Sequence, residues 1–222
     1  KYVVWVIDKN NNKISHIEKI PVGQLASQFI ENEHKTLNLL AAKSTRIAPI
    51  ILKNSAYFGG VAQELLAGKH GSLRYSAKYT DVLLKLIRHD VDEAFLEIEN
   101  LMSMLSDHFD KSYDIVLVSR KIKMRFVLSD TPTFKVVIEH GDFCPWNIIV
   151  NRDHYIQLID WESASTEGRP MYDIFRFFYT IDRLLTQRGN VRNMLLSNNA
   201  VSRYMEVLEL TYDKLDILLL EF

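Results

Sequence analysis

The chain has 222 residues, 47% apolar and 25% charged, with a mean hydropathy of −0.08. Those proportions belong to a folded globular protein and exclude a disordered tail, a collagen-like rod or a disulfide-stapled miniprotein. Lys and Arg number 27 against 28 Asp and Glu, a net charge of −1, so no basic surplus exists to neutralise a nucleic-acid backbone. Residues 2–7 are rich in Val, Ile and aromatics and predict a strand. DKNNNK (8–13) predicts a turn, and ISHIEKI (14–20) a second strand that closes at Pro21 to complete a hairpin. A helix is predicted over 24–42, with Leu25, Phe29, Leu37 and Leu40 on one stripe. Two short strands come next, at 49–52 and 58–66.

From Gly68 the pattern changes. KHGS (69–72) reads as a connector, and the remainder of the chain as mainly helical. Val82, Leu83, Leu86 and Ile87 mark one helix; Phe95, Ile98, Met102 and Leu105 mark another. FKVVIE, NIIV and YIQLID restore a β pattern between about 134 and 160. Pro170 opens a helix carrying Ile174, Phe178, Ile181 and Leu185, and a last helix carries Val201, Met205, Leu208, Tyr212, Leu215 and Leu219. The expected architecture is α+β and bilobal. Residues 1–66 form a small β-rich N-lobe and 67–222 a larger helical C-lobe, with a ligand cleft between them. A start on Lys1 directly into a strand leads us to expect a fragment or trimmed chain whose first element lies upstream.

No apolar run reaches the roughly 18 residues of a membrane span, and KYVVWVIDKNNNK lacks the pattern of a signal peptide. The single cysteine, Cys144, cannot form an internal disulfide, which suits a reducing compartment and a cytoplasmic location. No activating partner pattern marks Cys144 as a nucleophile, and the histidines lack zinc-ligand spacing. Trp146 and Trp161 read as packing residues.

The chemistry lies in His140-Gly141-Asp142-Phe143-Cys144-Pro145-Trp146-Asn147 and in Leu158-Ile159-Asp160-Trp161-Glu162. Asp142 and Asn147 share one loop. The NIIV and YIQLID ribbon returns the chain so that Asp160 faces that loop. Two carboxylates and an amide oxygen are hard ligands suited to Mg²⁺ held together with substrate phosphates. Phosphoryl transfer needs a metal on the phosphates and a carboxylate to orient and deprotonate the attacking hydroxyl. Asp142 suits the second task, and Asn147 and Asp160 the first.

HGDFCPWN with LIDWE resembles the aminoglycoside phosphotransferase and choline kinase family, the small-molecule branch of the protein-kinase-like fold. The resemblance covers nearly the whole chain and weakens in the last thirty residues. It implies Asp142 as catalytic base, Asn147 and Asp160 as Mg²⁺ ligands, His140 as a brace of the loop and Asp173 as its tether. It also implies Lys19 on the nucleotide phosphates, held by Glu33, which stands alone among apolar residues on the stripe of the first helix. The carbonyl of Glu64 and the amide of Leu66 would meet the adenine at the hinge. The phosphate-covering glycine loop would precede Tyr2. Glu162 stands where choline-kinase-like members place an acid, and is either an acceptor-pocket residue or a spectator.

Gly141 and Trp161-Glu162 replace protein-kinase residues, and no A-P-E segment lies downstream. Both departures point to a small alcohol rather than a protein substrate. The expected activity is ATP- and Mg²⁺-dependent phosphorylation of an amino alcohol, a sugar or glycan precursor, or an aminoglycoside. The alternative is a non-catalytic nucleotide-binding module of a larger polypeptide.

Overall fold

The computed structural model describes residues 1–43, 45–55, 59–95, 133–186, 189 and 191–222. Strands β1 (Tyr2–Asp8) and β2 (Lys13–Ile20) form the antiparallel hairpin expected from their β-branched runs. Asparagines close its turn: Asp8 Oδ1 accepts from the Asn10 amide and Asn11 Oδ1 from that of Lys13, while Asn12 adopts φ 55°. Short amide side chains favour such local bonding and tolerate left-handed backbone. With β3 (Ile51–Asn54) and β4 (Val61–Glu64) they build a four-stranded sheet in the order β1-β2-β4-β3. The second strand predicted over 58–66 is shorter than expected, and Leu66 lies beyond its end.

Helix α1 (Gln24–Ala42) has the expected bounds but not the expected stripe. Leu37 and Leu40 are buried, whereas Leu25 and Phe29 are 64% and 39% exposed. Ile30, Glu33 and Thr36 complete the buried face instead. The inward stripe is thus more polar than expected, and only its C-terminal half packs into the main apolar core.

The expected connector contains a strand, β5 (Lys69–His70), which pairs with β9 (Ile148–Val150). Helix α2 (Ala77–Leu84) ends before Leu86 and Ile87. Leu86 instead lies in the turn that follows, its carbonyl accepting from the Ile138 amide, and Ile87 bridges Val137. Phe95 lies not in a helix but in β6 (Ala94–Phe95), paired with β7 (Thr133–Phe134). The expected helical positions Ile98, Met102 and Leu105 lie outside the described residues.

Strand β8 (Val137–Glu139) leads into loop 140–147, and β9 and β10 (Ile156–Leu158) form the predicted ribbon. Strand β11 (Ser165–Gly168) pairs with β8. Helix α3 (Tyr172–Ile181) buries Ile174, Phe178 and Ile181, but Leu185 falls in a π-helical segment, Asp182–Thr186, and is exposed. After α4 (Val191–Leu196) come two helices where one was expected, α5 (Asn199–Val207) and α6 (Tyr212–Glu221). Glu209 adopts φ 55° and Leu210 N bonds to Met205 O, which ends α5 as a left-handed cap does. Thr211 Oγ1 then accepts from Lys214 N and starts α6. A threonine start signal stands in LTYDK, but the apolar period runs on unbroken across it.

One apolar core joins α2, β8, the ribbon and α3–α6, with Phe134, Phe143, Trp161, Phe175 and Phe177 at its centre.

Candidate active site

The loop 140–147 is fixed from below. Asp173, near the start of α3, accepts from His140 N through Oδ2 (2.8 Å) and from Gly141 N through Oδ1 (3.0 Å). The His140 ring sits between two backbone groups: Nε2 donates to Ile159 O (2.9 Å) and Nδ1 accepts from Asp142 N (3.3 Å). Those bonds require the neutral ring, and burial pushes its pKa down to about 4. Gly141 has φ 80°, and a Cβ there would lie 2.1 Å from the Ser163 carbonyl oxygen. Only glycine fits that close approach, which accounts for its presence between His140 and Asp142. Cys144 is buried and its thiol is pushed up to about 12, chiefly by burial, so it stays protonated and unreactive.

The Asn147 amide donates from Nδ2 to Asp142 Oδ2 (2.8 Å) and to Asp142 O (3.0 Å). Two oxygen acceptors fix the nitrogen on that side, so Oδ1 is presented on the other. The Ile159 amide donates to Asn147 O (2.9 Å), and Ile159 O accepts from His140. The residue before Asp160 is therefore bonded to both ends of the loop. Asp160 itself is left-handed, φ 67° and ψ 60°, a conformation Asp tolerates better than most residues.

Lys19 Nζ donates to Glu33 Oε1 (2.7 Å) and to Asp160 Oδ1 (2.8 Å), drawing strand β2, helix α1 and the ribbon's end onto one ammonium. Glu33 Oε1 also accepts from Trp161 N (3.2 Å). Lys1 Nζ donates to Asp160 Oδ1 (2.8 Å) and makes a close ion pair with Glu162. Burial alone would raise the Asp160 carboxyl, but Lys19 and Lys1 outweigh it and hold the group at about 2. It is ionised throughout the neutral range.

Sequence reasoning missed three participants. Asn32 donates through Nδ2 to the carbonyls of Glu162 (3.0 Å) and Ala164 (2.8 Å), tying α1 to the segment after Asp160. An Asn beside Glu33 within a helix was the available signal. Lys1 and the obligatory character of Gly141 had no local signal. Glu64 and Leu66 lie at the end of β4 and just past it, with Glu64 N bonded to Ile50 O (2.9 Å). Of the two tryptophans read as packing residues, Trp161 is fully buried, donating Nε1–H to Leu158 O, whereas Trp146 is 43% exposed.

Among the described residues, no group of three or more His, Cys, Asp and Glu side chains gathers into a metal cluster. The Asp160 carboxylate and the amide oxygen of Asn147 are the hard donors on offer. Hard oxygens in that number suit a divalent ion that completes its shell with phosphate and water, as Mg²⁺ does.

The phosphotransferase enzyme family matches residues 3–197, so this chain belongs to that family. No curated protein matches it significantly by sequence. Among solved structures, it is similar to the choline kinase LicA from Streptococcus pneumoniae at 17% identity and a TM-score of 0.51, over 90% of this chain and 76% of that one. The macrolide 2'-phosphotransferase MphH from Brachybacterium faecium matches at 16% and 0.54, over 91% and 73%. The aminoglycoside phosphotransferase APH(3'')-Id from Streptomyces rimosus, in complex with ADP and streptomycin, matches at 15% and 0.51, over 98% and 91%. At these identities the common property is the fold, the bilobal protein-kinase-like architecture. Among the described residues, no helix is long and apolar enough to cross a membrane.

Proposed function

We propose that this protein is an ATP- and Mg²⁺-dependent kinase that phosphorylates a hydroxyl of a small molecule. The observation that carries the reading is Lys19, whose ammonium bonds at once to Glu33 and Asp160. A buried lysine held by one acid and touching a second, partly exposed one is the arrangement phosphoryl transfer uses on nucleotide phosphates. The family membership and the ADP complex of a protein of like fold support it.

In this reading, residues 1–66 and 67–222 are the two lobes, and the base of ATP rests against the carbonyl of Glu64 and the amide of Leu66. Lys19, positioned by Glu33, orients the phosphates. Asn147 and Asp160 hold Mg²⁺, which supplies charge neutralisation on the phosphate oxygens. Asp142 is the base. Asn147 occupies its Oδ2, which leaves Oδ1 to accept the proton of the attacking hydroxyl. His140 and Asp173 do not touch substrate; they position the loop. Glu162, beside Asp160 and paired with Lys1, is either an acceptor-pocket residue or a spectator of the metal site. The acceptor is an alcohol on an amino alcohol, a sugar or glycan precursor, or an aminoglycoside, and the location is the cytoplasm.

Asp142→Asn preserves the size of the side chain and removes the base. Turnover in an ADP-release assay against small alcohols should drop by about 10²–10⁴, with nucleotide affinity and thermal melting unchanged. Full turnover in that variant would end the assignment. A chain that binds ATP but releases no ADP with any alcohol would favour the non-catalytic module instead.

A further inference from the structure

We propose that a cavity away from the Lys19–Asp160 site binds a phosphorylated small molecule, its phosphate held by Arg46, Lys78 and Lys85. The proposal stands whether or not the kinase reading does. The cavity measures about 720 Å³, within the roughly 300–1,000 Å³ of small-molecule sites. It is lined by the segment after α1 (45–50), by Glu64 at the end of β4, by one face of α2 and by the turn and first residues of β10 (151–157). Directly paired residues on adjacent strands share a face, and successive residues of a strand alternate. Lys19 pairs with Val61, so Glu64, three residues further along β4, points to the opposite face of the sheet. None of Lys19, Glu33, Asp142, Asn147 and Asp160 lines the cavity.

Ile47, Ala48, Val82 and Ile156 are buried and give the cavity an apolar floor. Its rim is charged. Lys78, Asp81, Val82 and Lys85 recur at intervals of three and four, which puts them on one face of α2 and its C-cap. Two of the lining acids are engaged by the protein: Asp81 Oδ1 accepts from Arg203 Nη1 (2.7 Å), and Glu64 Oε2 from the Ile50 amide (3.4 Å). The side chains of Arg46, Lys78 and Lys85 have no hydrogen bond or ion pair among the described residues, and Asp153 is the one lining acid in the same condition. Three uncommitted cations against one uncommitted acid favour an anion of more than one charge. Lys78 and Lys85 stand two turns apart, about 10 Å along the helix, a gap that two four-carbon stems can close on one group. A carboxylate offers two oxygens, whereas a phosphate monoester offers three and nearly two charges, which matches the donors present. The organic part of such an ester then lies on the apolar floor.

The test is calorimetric binding of phenyl phosphate, glucose 6-phosphate, inorganic phosphate and phenol to the full chain, wild type and carrying Arg46→Ala, Lys78→Ala, Lys85→Ala or Lys19→Ala. At least one of the two esters should bind wild type saturably and more tightly than inorganic phosphate or phenol does. Arg46→Ala, Lys78→Ala and Lys85→Ala should each weaken that ester by about tenfold. Lys19→Ala should leave its affinity unchanged, because that lysine lies outside the cavity. The three cations are exposed, so thermal melting of their variants without ligand should match wild type. No binding of either ester, or ester affinity unchanged in all three cation variants, would overturn the proposal. So would an ester that binds no better than inorganic phosphate or phenol, since phosphate and floor would then not act together. Loss of ester binding in Lys19→Ala alone would assign the ester to the candidate active site and overturn it equally.

Discussion

Asp173 has two backbone amides as partners and no solvent to stabilise its charge. Burial, and then the nearby Glu139 charge, push its carboxyl up to about 7 against the two amides and Arg176. A carboxyl raised above its ordinary 3.8 contributes stability that is fully present below that value and is lost as pH rises through about 7. The stability of wild type relative to Asp173→Asn should therefore decline between about pH 4 and pH 7, because the amide does not titrate. Urea denaturation at a series of pH values measures that difference, and a flat difference across the window would contradict the shift. Asp160 behaves oppositely. Its contribution, set by Lys19 and Lys1, is complete above 3.8 and is lost only as pH falls through about 2.

At the scale of elements, α1 does more than support Glu33. Its Asn32 amide caps two carbonyls of the segment after Asp160, and its Glu33 accepts the Trp161 amide. One helix thereby fixes both the lysine of the sheet and the acid of the ribbon. Asn32→Ala leaves the carbonyls of Glu162 and Ala164 without this donor and should cost about 1–2 kcal/mol in denaturant unfolding. A loss within the scatter of surface substitutions would mean that water replaces the amide. The helix was legible in its periodicity, but its face was not. Glu33 and Thr36 are buried in place of Leu25 and Phe29 because of the surfaces α1 packs against, and periodicity is silent on those. The same limit applies to α5 and α6, where an unbroken apolar period concealed the cap at Glu209 to Thr211.

Across the whole molecule, the two halves meet through contacts of different worth. The Lys19–Glu33–Asp160 cluster is largely buried, whereas Lys43–Asp90 is exposed at the acid. Exposed pairs gain little after screening and side-chain entropy are counted. Glu33→Gln keeps the shape and removes the charge that balances Lys19; it should lower stability by about 1–3 kcal/mol. Lys43→Met, which removes that pair and leaves Asp90 on Arg88, should leave the melting temperature unchanged. Equal effects of the two substitutions would show that burial does not rank these contacts.

The residue types and their intervals were enough to identify an acid–amide loop and a second acid at the end of a ribbon, and the family resemblance pointed to the pairing of Lys19 with Glu33 that the structure contains. Local patterning likewise located the hairpin, α1 and the ribbon. Tertiary packing alone decided that Lys19 reaches across 141 positions to Asp160, that Asn32 joins the same seam and that Gly141 faces a carbonyl too near for any side chain. Each of those depends on the distance between groups remote in the chain, and no local preference of strand, helix or turn encodes that distance.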